Sequence, residues 1–207
     1  MPVRSPPPPA ARCPPPAARR RSSCSLACPN TQAASYPADE AASPERLEYR
    51  LRHAGDQFLA AVQAGGGSSG ALELVGFCCG TLSSAAQLTE ESMARHEPGG
   101  SLLAIHSVCV AAAHRRRGVA SRLLRAYLAF VAASTPEATE ARLICKQPLI
   151  QLYRRGAGAG GAAELVCGHT AALQQLRLRL QGHGTCPRTL KSLWHSPPLR
   201  SPHTSGL

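Results

Sequence analysis

Acidic residues are missing from both ends of this 207-residue chain. Residues 1–38 hold five arginines and residues 181–207 hold three basic residues, with no Asp or Glu in either stretch. The net charge of +11 therefore sits largely outside the middle, where residues 39–180 carry 15 basic and 12 acidic side chains, a surplus of three. Aromatics are also few, eight in all. A nucleic-acid surface needs a basic face with rings to stack on, so that class of partner is not expected. Nine cysteines show no Cys-x-x-Cys pair and no accompanying His-x-x-x-His, so no metal is expected. Cys78, Cys79, Cys109 and Cys145 lie in apolar runs, where a free thiol behaves as a small hydrophobe and a reducing compartment suits it. No apolar run is long enough to span a bilayer, so the expectation is a soluble, intracellular, cytoplasmic protein without a membrane partner.

What is present points to one domain with tails, since this length builds one substantial core but not two. Residues 1–35 are expected to be a disordered tail. Their arginines, serines and prolines also suit an organelle transit segment, which would place the protein in a plastid or other organelle. The folded domain is expected over 36–180 and a second disordered tail over 181–207.

Within the domain, Ser43-Pro44-Glu45 combines a hydroxyl cap, a first-turn proline and an acid, a helix start. Residues 58–64 and 72–82 read as two strands joined across a glycine-rich loop. A short helix over 89–96 stops at Pro98-Gly99-Gly100, and a strand follows over 102–110. The next helix runs from Ser121, with Leu124, Tyr127, Leu128 and Val131 at helical spacing. Leu143-Ile144-Cys145 makes another strand, Pro148 opens a short helix, and 164–166 and 176–180 supply closing strands. This order describes an α+β domain with a mixed sheet.

The chemistry concentrates between Ile105 and Leu128, where a buried strand enters a turn, His114-Arg115-Arg116-Arg117-Gly118-Val119-Ala120, that opens a helix. A glycine lets the backbone approach a diphosphate, and the first N–H groups of the helix have no intrahelical partner. Arginines add charge in the same place. The alternative is a solvated basic loop capping an ordinary helix.

Arg115-x-x-Gly118-x-Ala120 resembles the acetyl-CoA-binding motif of the GNAT N-acetyltransferase superfamily. Leu88-Thr89-x-Glu91-Ser92-x-Ala94-x-His96-x-Pro98-x-Gly100, the strand to Val110, and Cys145 to Tyr153 resemble the serotonin (arylalkylamine) N-acetyltransferases of the non-vertebrate type. The resemblance covers about residues 36–155. It implies a mostly antiparallel mixed sheet with helices on both faces and a splayed central strand. It also implies acetyl-CoA as co-substrate and a small-molecule amine, of the serotonin or tryptamine type, as acceptor for a monomeric enzyme.

By the same resemblance His106 is the catalytic base, Ala104 standing where the family has a first histidine. Tyr153 protonates the leaving thiolate and sits near the CoA sulfur. The Val108 N–H meets the thioester oxygen, while Cys109 and Val110 pair with pantetheine. Arg116, Arg117, Gly118, Val119, Ala120 and Ser121 hold the diphosphate. Ile144, with Val108, lines the arylalkyl pocket. Other implied readings are the same fold acting on a polyamine, an aminoglycoside or a protein N-terminus, or a degenerate CoA-binding domain.

Overall fold

A computed structural model describes residues 28–38, 40–64, 72–157, 163–168 and 173–180. The tail expected before residue 28, the glycine-rich loop from 65 and the tail from 181 lie outside the described residues. A helical segment over 28–33 falls inside the stretch read as tail. Its Cys28 packs with Phe77, Cys79 and Cys109, and Gln32 Oε1 accepts from the Cys109 thiol at 2.9 Å.

Helix α1 (Pro44–His53) starts where the cap predicts, Ser43 Oγ accepting from the Arg46 N–H. Strands β1 (Phe58–Ala64) and β2 (Leu72–Ser83) form an antiparallel pair. Helix α2 (Glu90–Ala94) has a reciprocal capping box between Thr89 and Ser92. Strand β3 (Leu102–Val110) leads into helix α3 (Val119–Ser134), and β4 (Glu140–Lys146) into helix α4 (Ile150–Ala157). Strands β5 (Ala163–Gly168) and β6 (Leu173–Arg179) close the sheet.

The sheet order is β1-β2-β3-β4-β6-β5, with β3 and β4 parallel and every other pairing antiparallel. Helices cover both faces. Leu123, Leu124, Tyr127 and Val131 of α3 bury one face together with Ile105, Leu143 and Tyr153. On the other face Cys28 and Leu47 close over Phe77, Cys79 and Cys109. Cys78, Cys79, Cys109 and Cys145 are free and buried, the small-hydrophobe role read from their apolar runs.

Two irregularities set up the site. Strands β3 and β4 pair only over Leu102↔Glu140, Leu103↔Ala141 and Ala104↔Arg142, then separate, which leaves the later part of β3 with an edge that no strand covers among the described residues. Across β2, Cys79 faces Ser107 but Gly80 faces Ile105, so His106 is the extra residue of a bulge. A bulge bends its strand and re-aims a side chain. Here it sends Leu103 and Ile105 before it, and Val108 and Val110 after it, to the α3 face, and turns His106 the other way.

Gly80 makes the bulge possible. A Cβ there would lie 2.7 Å from the Ala104 carbonyl oxygen and 2.7 Å from the Tyr127 hydroxyl. That hydroxyl donates to the Gln57 carbonyl at 2.9 Å, tying α3 to the approach of β1.

Candidate active site

The basic turn has the geometry of an anion cradle. Gly118 takes φ 72° as the N-cap of α3, and Arg116 is at φ 60°, a conformation uncommon outside glycine. The first helical bond of α3 runs from the Arg122 N–H to the Gly118 carbonyl, so the N–H groups of Val119, Ala120 and Ser121 precede it. Arg116, Arg117 and Gly118 are exposed, Ala120 and Ser121 half-buried, and Val119 buried. A Cβ at Gly118 would meet nothing within 4 Å, so the cradle opens to solvent.

Arg115 behaves differently from its two neighbours. Its guanidinium turns back to donate to the Val110 carbonyl at 3.0 Å, to the Ala34 carbonyl at 2.6 Å and to Ser35 Oγ at 3.2 Å. The first arginine of the motif thus pins the N-terminal segment to the end of β3. It also takes the Val110 carbonyl that pantetheine was expected to meet.

That segment reaches the uncovered edge of β3. The Val108 N–H, expected to face the thioester oxygen, donates to the Tyr36 hydroxyl at 3.2 Å. A buried backbone donor takes whatever acceptor is at hand, and on a splayed edge a phenol supplies it. Cys109, expected to pair through its backbone with pantetheine, also sends its thiol to Gln32 Oε1 at 2.9 Å. Burial holds the Tyr36 phenol well above its ordinary pKa, with further contributions from Tyr153 and Cys109. Tyr153 is buried in the α3-side core, and burial likewise raises its phenol, with Cys145, Cys78 and Cys109 adding to it. It is a protonated donor at neutral pH.

His106 faces a cavity of about 580 Å³ on the opposite side of the strand, together with Ile144. Residues expected to act on one substrate therefore divide between two places. His106 and Ile144 line the cavity, whereas Val108 and Tyr153 pack into the core across β3. The imidazole Nε2 lies 2.8 Å from Thr81 Oγ1. Burial, followed by the charges of Arg50 and Arg46, lowers the His106 pKa to about 3, so the ring is neutral. Ala104, fully buried between Leu88 and Leu102, supplies no second base.

Glu90, Met93 and Ala94, from the block between Leu88 and Gly100, line this cavity. His96 Nδ1 accepts from the Leu82 N–H at 3.1 Å, its own N–H donates to the Tyr49 hydroxyl, and a Glu97 carboxylate oxygen accepts from the Ser84 N–H at 2.6 Å. These bonds fix the passage from β2 to β3 and place Tyr49 on the cavity wall. Thr81, Arg46 and Arg50, three groups beside His106, were not singled out by sequence reasoning. Thr81 looks like one more strand residue, and the two arginines look like the solvated face of an amphipathic helix.

The profile of the acetyltransferase (GNAT) family matches residues 26–159. The chain belongs to the GNAT family. Among curated relatives, a serotonin N-acetyltransferase of Macaca mulatta is 34% identical over 111 residues, which is 53% of either protein. One of Homo sapiens is 32% identical over the same share. The chain thus spans about half the length of the curated relatives it matches.

Solved GNAT-fold structures superpose on more of it. The GphF GNAT-like decarboxylase in complex with isobutyryl-CoA aligns at a TM-score of 0.59 and 18% identity, covering 77% of this chain and 96% of that one. The NatC complex bound to Gag peptide and CoA aligns at a TM-score of 0.57 and 15% identity, covering 80% and 96%. At these identities the superpositions establish the GNAT fold: a mixed, mostly antiparallel sheet, helices on both faces and a splayed central strand.

Proposed function

We propose that this GNAT protein is an acetyl-CoA-dependent N-acetyltransferase that acetylates the primary amine of a small aromatic molecule, of the serotonin or tryptamine type, by direct transfer. The observation that carries the reading is the separation of β3 from β4 after Ala104, which opens beside the exposed N-terminus of α3. An extended thioester chain can run along such an edge as an added strand does, with its diphosphate on the N–H groups of Val119, Ala120 and Ser121 and its charge on Arg116 and Arg117.

In this reading the amine sits in the cavity. A primary amine is mostly protonated at neutral pH, so a proton must leave before its lone pair can attack. His106, neutral and facing the cavity, takes that proton, directly or through water. The C–N bond forms, the thioester C–S bond breaks and the thiolate takes the Tyr153 proton, while the second proton leaving the nitrogen returns through water to restore the Tyr153 phenol. The Val108 N–H stabilises the carbonyl oxygen once the Tyr36 hydroxyl gives it up.

Incubation of the full chain with acetyl-CoA and tryptamine or serotonin should release CoA and yield the N-acetyl product. No turnover across a panel of aromatic amines would contradict the reading. Ala104 in place of a second base supports one other reading, a domain that binds CoA without transferring acetyl. CoA binding with no product from any amine is its signature.

A further inference from the structure

The cavity beside His106 is charged in a way that a simple cationic amine does not explain. Arg46 and Arg50 stand one turn apart on α1, and both line it. Arg46 is exposed at its mouth, whereas Arg50 is only 9% exposed. The Nη1 of Arg50 is buried and has no hydrogen-bond partner among the described residues. Among the described residues no carboxylate forms an ion pair with Arg50.

Its polar neighbour on the sheet side is the thiol of Cys79, which burial keeps protonated despite the guanidinium. Glu45 and Glu90 reach the same cavity but are exposed, and Glu45 is engaged by Ser43 at its own helix start. A buried guanidinium with an unmet N–H is costly unless an anion joins it. The remaining wall includes Tyr49, Met93 and Ile144, an apolar and aromatic lining.

We propose that the acceptor carries a carboxylate as well as its amine, and is an amino acid with an aromatic or bulky apolar side chain. Its carboxylate pairs with Arg50, its side chain lies against Tyr49, Met93 and Ile144, and its amine points to His106. This inference rests on reading the cavity as the acceptor site of an acetyltransferase for aromatic amines, and narrows the acceptor from tryptamine-type amines to the amino acids that carry the same side chains. It also gives the acceptor a part in its own activation. The charges of Arg50 and Arg46 oppose protonation of His106, and a bound carboxylate cancels part of that opposition, making the imidazole a better base as the substrate arrives.

The test compares matched pairs, L-tryptophan against tryptamine and L-phenylalanine against phenethylamine, each with acetyl-CoA and the full chain. The product is identified by mass and kcat/KM taken from CoA release. The expected result is a preference of at least tenfold for the amino acid in each pair. In Arg50→Met that ratio should fall at least tenfold, mainly through KM, and Arg50→Lys should recover part of it. Because the ratio is read within one variant, a general loss of active protein cancels.

A wild-type preference for the amines overturns the proposal, whatever the variants do, and so does a ratio that Arg50→Met leaves unchanged. Turnover confined to polyamines or peptides overturns it while leaving acetyl transfer intact. CoA binding with no acetylated product from any amine removes the acetyltransferase reading itself.

Discussion

The Tyr36 hydroxyl accepts from the Val108 N–H at 3.2 Å, so a residue from the N-terminal segment occupies the donor that the thioester oxygen would use. Arg115 holds the same segment through Ala34 and Ser35, and Glu40 reaches Lys146 on β4. Strands β3 and β4 are thus both in touch with this segment, β3 through Tyr36 and β4 through Glu40.

Tyr36→Phe should free the Val108 N–H. A net hydrogen bond is worth about 0.5–1.5 kcal/mol, so acetyl-CoA should bind roughly two- to tenfold more tightly to the variant. Titration calorimetry reads this directly. Weaker binding would mean that the phenol itself holds the thioester.

His106→Gln tests the base. The imidazole is neutral well below pH 5, so no histidine titration should appear in the wild-type rate above that pH, where His106 takes the proton from the bound amine. The variant should be slow at neutral pH and recover at high pH as free amine accumulates. A parallel loss at every pH would remove the base assignment.

The same depressed pKa has a signature in stability. An unfolded chain protonates this histidine near pH 6.5, whereas the folded one waits until about pH 3. Between those values the unfolded state binds more protons, so stability is full above pH 6.5 and falls as pH drops toward 3. The acid-induced decline in Tm over this window should be steeper in wild type than in His106→Gln. Equal slopes would mean that His106 is more freely hydrated than its surroundings indicate.

Gly118→Val should act on the cradle. No atom lies within 4 Å of the added Cβ, but φ 72° is unfavourable for a branched residue, costing stability on the order of 1–2 kcal/mol. The larger effect is expected on KM for acetyl-CoA, at least tenfold, because the side chain stands where a diphosphate approaches. An unchanged KM would place the diphosphate elsewhere.

Gly80→Ala addresses the bulge. Its methyl would sit 2.7 Å from the Ala104 carbonyl oxygen, a backbone atom that cannot step aside, and overpacking of this kind costs roughly 1–3 kcal/mol. Chemical denaturation should show that loss, and kcat should drop as His106 shifts. Unaltered stability and rate would show that the register shift is not needed for the site.

Features that are local in the chain were legible in the sequence. Pro44 after Ser43, the spacing of Leu124, Tyr127, Leu128 and Val131, and Gly118 ahead of a helix each carry their own cause, and the helices lie where those residues put them. What depends on distant residues meeting was not legible. Tyr36 read as the boundary of a tail, because nothing in its neighbourhood announces Val108, 72 positions away. Arg46 and Arg50 gain their meaning from a wall that β2, β3 and β4 build opposite α1. His96 read as part of a family signature, and its work is to accept from the Leu82 N–H.

An aromatic amine held beside His106 should receive the acetyl group of acetyl-CoA. Mass-spectrometric detection of product, from the full chain with acetyl-CoA and tryptophan or tryptamine, tests it most directly. The predicted result is an N-acetylated product with one CoA released per molecule formed and a sharp fall in rate in His106→Gln. Tight CoA binding with no acetylated product from either compound, or from any other aromatic amine, would contradict it.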